Sequence, residues 1–298
     1  MRLGRRVKLP SWTPLDPFKG PNADHMCMDF KPIFDPVRKA PMRVACFMSG
    51  SGTNARKIIE RSLKADSEYE VVLIFTDVRD DRRDKGGEKR CRARDIAEEY
   101  GIAYECLDIR DFYRSRGHKT RRDLSLRPVF DRMVLGKIAP YDVDVIALAG
   151  YMSIVTRPLL DGYEGRIANV HPADLSVTED GHRKYAGMHA VRDAILEGEP
   201  SLYSTTHIVR DEVDHGEILV RSEPLAVELP EGLLLDQLRL DRRLLRRVAR
   251  EHQDRLKERG DWVIYPLTLQ MIAKGRFALN GRGNVYLDGK MAPQGLRL

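Results

Sequence analysis

Apolar runs separated by polar turns set out the chain. Val44-Ala45-Cys46-Phe47-Met48 is apolar throughout, the pattern of a strand buried on both faces. Residues 71–75 and 143–149 repeat it, and 103–107 and 166–170 read as further strands. Between them, residues 55–60 and Ala93–Tyr100 read as helices, the second closed by Gly101. A charged loop covers 79–90, and the arginine-rich stretch 111–138 reads as loop then helix. Strands alternating with helices predict an α/β fold, a mostly parallel twisted, Rossmann-like sheet with helices on both faces. In such sheets ligands bind outside the carboxyl ends of the strands.

The pattern changes beyond His189. A helix at Ala190–Leu196 is followed by strands at 204–209 and 217–220, which flank the turn Asp211-Glu212-Val213-Asp214-His215-Gly216. A long amphipathic helix is predicted over 233–259, with Leu234, Leu238, Leu245 and Val248 on one side and Arg246, Arg247 and Arg250 on a solvated one. Gly260 is expected to end it. Segments 276–280 and 284–287, joined by Gly281-Arg282-Gly283, predict a terminal antiparallel hairpin. Residues 1–41 lack periodicity and read as an N-terminal extension to a domain at 42–298. Their isolated aromatics, Trp12, Phe18, Phe30 and Phe34, predict an arm docked on the domain surface.

Composition narrows the class only a little. Over 298 residues, 42% are hydrophobic and 32% charged, as expected for a globular protein with ample core. A net charge of +6 suits anionic small molecules as well as nucleic acid. Cys27, Cys46, Cys91 and Cys106 have no metal-ligand spacing, so a reducing, cytoplasmic setting is expected. No apolar run approaches membrane-spanning length and no signal peptide is evident. Neither a membrane nor a metal is expected.

Two stretches carry chemistry. Asn169 and His171 lie two apart on a predicted strand, so their side chains leave the same face, and Pro172 ends the ladder. A carboxamide can donate to a developing oxyanion and an imidazole can move a proton near neutral pH. The second stretch is the loop Ser49-Gly50-Ser51-Gly52-Thr53-Asn54, between a strand and a helix. Gly50-x-Gly52-x-x-Ala55 with Asp77 after the next strand fits a relaxed dinucleotide fingerprint. The same residues fit a single phosphate, held by backbone N–H groups at a helix start and by the hydroxyls of Ser51 and Thr53. The loop alone leaves both readings open.

The order of motifs is more specific than any one of them. Ser49 to Asn54, Leu148-Ala149-Gly150-Tyr151-Met152, Asn169-Val170-His171-Pro172, His207-Ile208-Val209 and Asp211-Glu212-Val213-Asp214-x-Gly216 follow one another. Ile264-Tyr265-Pro266, Lys274-Gly275-Arg276, Leu287-Asp288-Gly289 and Pro293-Gln294-Gly295 complete the series. From about Met42 to Gly295 the chain resembles the folate-dependent formyltransferases, most of all the members that formylate 5-phosphoribosylglycinamide in purine synthesis. The resemblance implies 10-formyltetrahydrofolate as co-substrate and a small phosphorylated amine as acceptor, with no nucleic-acid or membrane partner; a homodimer stays open. It implies Asn169, His171 and Asp214 as the catalytic trio. Gly52, Thr53 and Asn54 match its phosphate-loop positions, continued by Ala55 and Arg56, and Asp261 aligns with an acidic residue used on the substrate. Met152, Ser153, Ile154 and Val155, with Arg210, Asp211, Glu212 and Val213, match segments that hold the pterin largely through backbone groups. His189 occupies the position of a histidine near the site.

The chain departs from that family after His171-Pro172. There the family continues Ser-Leu-Leu-Pro and soon Pro-Gly, whereas this chain reads Ala173-Asp174-Leu175-Ser176. Tyr185-Ala186-Gly187 then follows a charged insertion at 177–184. The change falls beside the folate site, so another amine acceptor, or hydrolysis of the formyl donor, is an alternative. Initiator-tRNA formylation would require an RNA-binding barrel beyond the last motif. An NAD-dependent oxidoreductase would use the glycine loop and Asp77, but it leaves Asn169, His171 and Asp214 unexplained.

Overall fold

The strand β2 (Met42–Met48) is the centre of the molecule, because its alternate side chains enter two different cores. A computed structural model describes residues 30–298. Cys46 and Met48 pack with Ile58 and Ile59 of α1 (Thr53–Ser62) and Ile96 of α2 (Ala93–Tyr100) on one face. Ala45 and Phe47 pack on the other with Phe112 of α3 (Ile109–Arg114), Phe130 and Val134 of α4 (Arg127–Ile138) and Leu159 of α5 (Arg157–Gly162).

Beside β2 run β3 (Tyr69–Thr76) and, beyond it, β4 (Ala103–Cys106); on its other side run β5 (Val145–Leu148) and β6 (Ile167–His171), all parallel. A charged two-strand hairpin follows, β7 (Thr178–Glu179) and β8 (His182–Arg183). After α6 (Ala190–Leu196) and the short β9 (Ser201–Leu202) comes β10 (Thr205–Ile208), antiparallel to β6. It pairs antiparallel with β11 (Ile218–Arg221), and β12 (Leu225–Ala226) pairs with β9. α7 (Leu235–Leu240) and α8 (Arg242–Leu256) close a third apolar cluster with α6, and α9 (Trp262–Ala273) packs Ile264, Leu269 and Ile272 into the β2–α1 core. The predicted terminal hairpin forms as β13 (Phe277–Asn280) and β14 (Val285–Leu287), followed by β15 (Lys290–Met291) and β16 (Leu296–Arg297). The main sheet has eight strands and is mostly parallel.

Two expectations change. The helix predicted over 233–259 is broken at Asp241, whose carboxylate caps α8 by accepting from the N–H groups of Arg243 and Leu244. Leu234 lies before the first turn and is exposed, while Leu238, Leu245 and Val248 are buried. Gly260 does not end the helix either. The chain passes through a wide π turn, Lys257–Asp261, straight into α9. Glycine is needed there for close approach, since a Cβ would lie 2.4 Å from the Ser204 hydroxyl.

The docking expected of the extension is seen at its end. Phe30–Pro32, here β1, pairs with β13, Phe30 stacks on Tyr286 at 4.5 Å, and Phe34 is buried. Trp12, Phe18 and Cys27 lie outside the described residues.

Candidate active site

Strand register assembles the first part of the site. On β6, Asn169 stands opposite His207 of β10, and His171 opposite Thr205. The Asn169 amide nitrogen lies 3.2 Å from His207 Nε2. Asp214 enters from the β10–β11 turn at φ 59, a left-handed conformation that aspartate tolerates better than most residues. Its carboxylate bridges two rings, with Oδ2 3.3 Å from His171 Nδ1 and Oδ1 3.4 Å from His207 Nε2. Residues from 169 to 214 thus share one polar cluster, Asn169–His207–Asp214–His171.

His171 and Asp214 are both nearly sealed from solvent. Burial lowers the His171 imidazole below its ordinary range, outweighing the opposing pull of Asp214 and the Tyr185 carbonyl. Asp214 thus favours the charged form of His171, and desolvation outweighs it. For Asp214 burial acts upward, but the His207 hydrogen bond, the His171 interaction and the Gly187 N–H together hold it well below the carboxylate range. The cluster thus sets a carboxylate held in its ionised form beside an imidazole whose charged form burial disfavours, with both ring nitrogens facing acceptors, the Asp214 carboxylate and the Tyr185 carbonyl.

The segment after the departure from the family covers this cluster. His171 Nε2 lies 2.8 Å from the Tyr185 carbonyl, and Gly187 N–H donates to Asp214 Oδ2 at 2.9 Å. Arg183, at the end of the charged hairpin, donates to the carbonyls of Asp214 and Gly216. The hairpin itself turns on Asp180-Gly181, both at positive φ, as a two-residue type I′ turn requires.

On the same rim, Gly52 at φ 72 starts α1 with no side-chain cap. The first N–H groups of a helix lack intrahelical acceptors, so those of Thr53 and Asn54 are suited to an anion. Two predicted substrate positions meet each other instead of open space. Asn54 Nδ2 donates to Asp261 Oδ2 at 3.2 Å, and Ser204 Oγ donates to Asp261 Oδ1 at 2.6 Å. Burial pushes the Asp261 carboxyl up, and Ser204 and Asn54 pull against it. Ala55 faces the core, and Arg56 leans away to pair with Glu99 at 2.7 Å.

Asp77 is already engaged. It is buried and accepts one hydrogen bond on each oxygen, from Ser49 Oγ at 2.5 Å and from Ser153 Oγ, so it braces two loops. That bracing accounts for Asp77 without a dinucleotide ribose. Of the expected pterin segments, Met152 N–H donates to Ser49 Oγ at 3.0 Å and the Ile154 carbonyl accepts from Arg127 at 3.1 Å, while Val155 is buried. Arg210 pairs with Glu217 at 2.7 Å, Asp211 with Arg157, and Glu212 with His215 at 3.4 Å. The Val213 carbonyl faces His215 Nδ1 at 2.8 Å. His189 immediately precedes α6. The site residues absent from the sequence prediction are His207, Ser204 and Arg183. His207 alone left a signal, as the first residue of the motif that follows Asn169-Val170-His171-Pro172.

A parallel sheet carrying a glycine loop and an Asn-x-His strand end, with a carboxylate behind the histidine, defines a group-transfer site. The formyl transferase family matches residues 42–231, and the chain belongs to that family. The phosphoribosylglycinamide formyltransferase of Escherichia coli (strain K12) is 28% identical over 255 residues, covering 85% of this chain and 98% of its own. A crystal structure of glycinamide ribonucleotide transformylase 1 from Symbiobacterium toebii superposes with a TM-score of 0.57 at 25% identity, covering 83% of this chain and 93% of the other. A formyltetrahydrofolate deformylase from Burkholderia mallei shares the fold at 16% identity and a TM-score of 0.55, covering 83% of this chain and 70% of its own.

Proposed function

We propose that the protein transfers a formyl group from 10-formyltetrahydrofolate to the amine of 5-phosphoribosylglycinamide. The observation that carries this reading is the cluster in which Asp214 faces His171 and, through His207, is linked to Asn169, on the rim that also holds the Gly52 loop. The substrate phosphate sits on the N–H groups of Thr53 and Asn54. The amine lone pair attacks the formyl carbon, and the carbonyl electrons move onto oxygen. Asn169 donates to that oxyanion. His171, whose charged form burial disfavours in the free protein, accepts the proton the attacking nitrogen sheds, and Asp214 stabilises the imidazolium. The proton passes on to the folate nitrogen as its bond to the formyl carbon breaks, releasing tetrahydrofolate and the N-formyl product. The Tyr185–Gly187 segment moves off His171 to admit the substrates.

The test is an assay of the purified protein with both substrates, following the formylated amine and free formate separately. Wild type is expected to form the formylated amine. His171→Ala and Asp214→Asn are expected to lower kcat/KM by about 10²–10⁴-fold with unchanged circular dichroism. Formate release without an acceptor product would replace this reading with donor hydrolysis. Full activity in both variants would refute the mechanism.

A further inference from the structure

The charged hairpin and the β10–β11 turn meet at three side chains that the reaction above does not use. His182 comes from β8, and Glu212 and His215 from the turn; one ligand atom of each lies within 4.8 Å of the others. His215 Nδ1 faces the Val213 carbonyl at 2.8 Å. A carbonyl only accepts, so Nδ1 is the ring nitrogen that donates and Nε2 is the one turned to the cluster. Nε2 lies 3.4 Å from Glu212 Oε1 and, at the same distance, from the Arg183 backbone N–H, a long contact that an ion on the Nε2 lone pair would replace. An imidazole nitrogen and a carboxylate oxygen this close are two ligand atoms that one cation can take together. The His182 ring stands nearly perpendicular to His215, centroids 6.4 Å apart, and supplies a third donor.

We propose that His182, Glu212 and His215 bind one divalent transition-metal ion of the zinc class. Two imidazoles and a carboxylate are a zinc donor set, with a fourth position open to water. Bonds of about 2.0–2.2 Å put tetrahedral ligand atoms about 3.3–3.6 Å apart. The Glu212–His215 pair already has that separation, and His182 closes the remainder from an exposed two-strand hairpin. The Val213 carbonyl then plays the outer-shell part that orients a ligating histidine. The ion clasps the hairpin to the turn that carries Asp214.

The experiment uses the full chain, treated with chelator and desalted, then titrated with zinc chloride by calorimetry and with cobalt(II) by visible absorption. One zinc per chain is expected, at micromolar Kd or tighter, with cobalt d–d bands and no thiolate charge-transfer band. His182→Ala and His215→Ala are each expected to weaken zinc binding at least tenfold. The metal-free Tm of His182→Ala should match that of metal-free wild type. Zinc should raise the wild-type Tm by a few degrees and leave that of His182→Ala unmoved. No saturable binding by wild type, equal binding by the variants, or a thiolate band would overturn the proposal.

Discussion

Gly52 and Asp214 both have positive φ, for different reasons. At Gly52 a side chain would need both a strained left-handed backbone and displacement of two side-chain tips, since a Cβ would fall 2.4 Å from Ile96 Cδ1 and 2.5 Å from Met48 Cε. At Asp214 the left-handed turn aims a carboxylate back at two imidazoles. Because its carboxyl is held below the ordinary range, Asp214 stabilises the fold above the unfolded value of about 3.9, and that contribution is lost as pH falls toward the folded value. Wild type should therefore exceed Asp214→Asn in unfolding free energy at pH 7, and the gap should close below about pH 4. Urea unfolding across that range checks this; a gap independent of pH would contradict it. At this scale the Asn169 and His171 pair was legible because residue type and spacing survive in sequence, whereas Asp214 entered only through the family resemblance. The His171 proton balance was not, because it depends on burial by Tyr185 and its neighbours.

Among the elements, the π turn at Lys257–Asp261 shows most clearly what periodicity hides. An amphipathic stretch followed by glycine reads as a helix end, yet the backbone continues because the Ser204 side chain needs the space. Gly260→Ala is expected to cost about 1–3 kcal/mol through overpacking, despite alanine's better helix propensity, and to push Ser204 off Asp261. Denaturant unfolding tests the first effect, and a change in substrate KM the second. Strands such as Val44 to Met48 were legible because burial on both faces leaves an unbroken apolar run. The β7–β8 hairpin was not read, although Asp180-Gly181 is a strong turn signal, because charged residues flank it rather than an alternating apolar pattern.

At the scale of the whole molecule, three apolar clusters hold the fold, two of them divided by the main sheet. The first reaches beyond the domain start expected at 42, since Ile33 and Phe34 belong to it. Phe34→Ala is expected to destabilise the protein by about 3–5 kcal/mol, measured by guanidinium unfolding; a loss under 1 kcal/mol would show the docked arm to be dispensable. The aromatics that made docking readable are visible in sequence, but their partners, Tyr286 and β13, come from the other end of the chain.

That reach from end to end also sets a schedule. Asn54 and Asp261 are 207 residues apart, and at roughly 5–20 residues per second a ribosome needs about 10–40 s to make the stretch between them. Throughout that interval α1 has no α9 to cover Ile58 and Ile59. The Asn54–Asp261 pairing thus waits for the last quarter of the chain, and the nascent chain presents an open apolar face to chaperones until then.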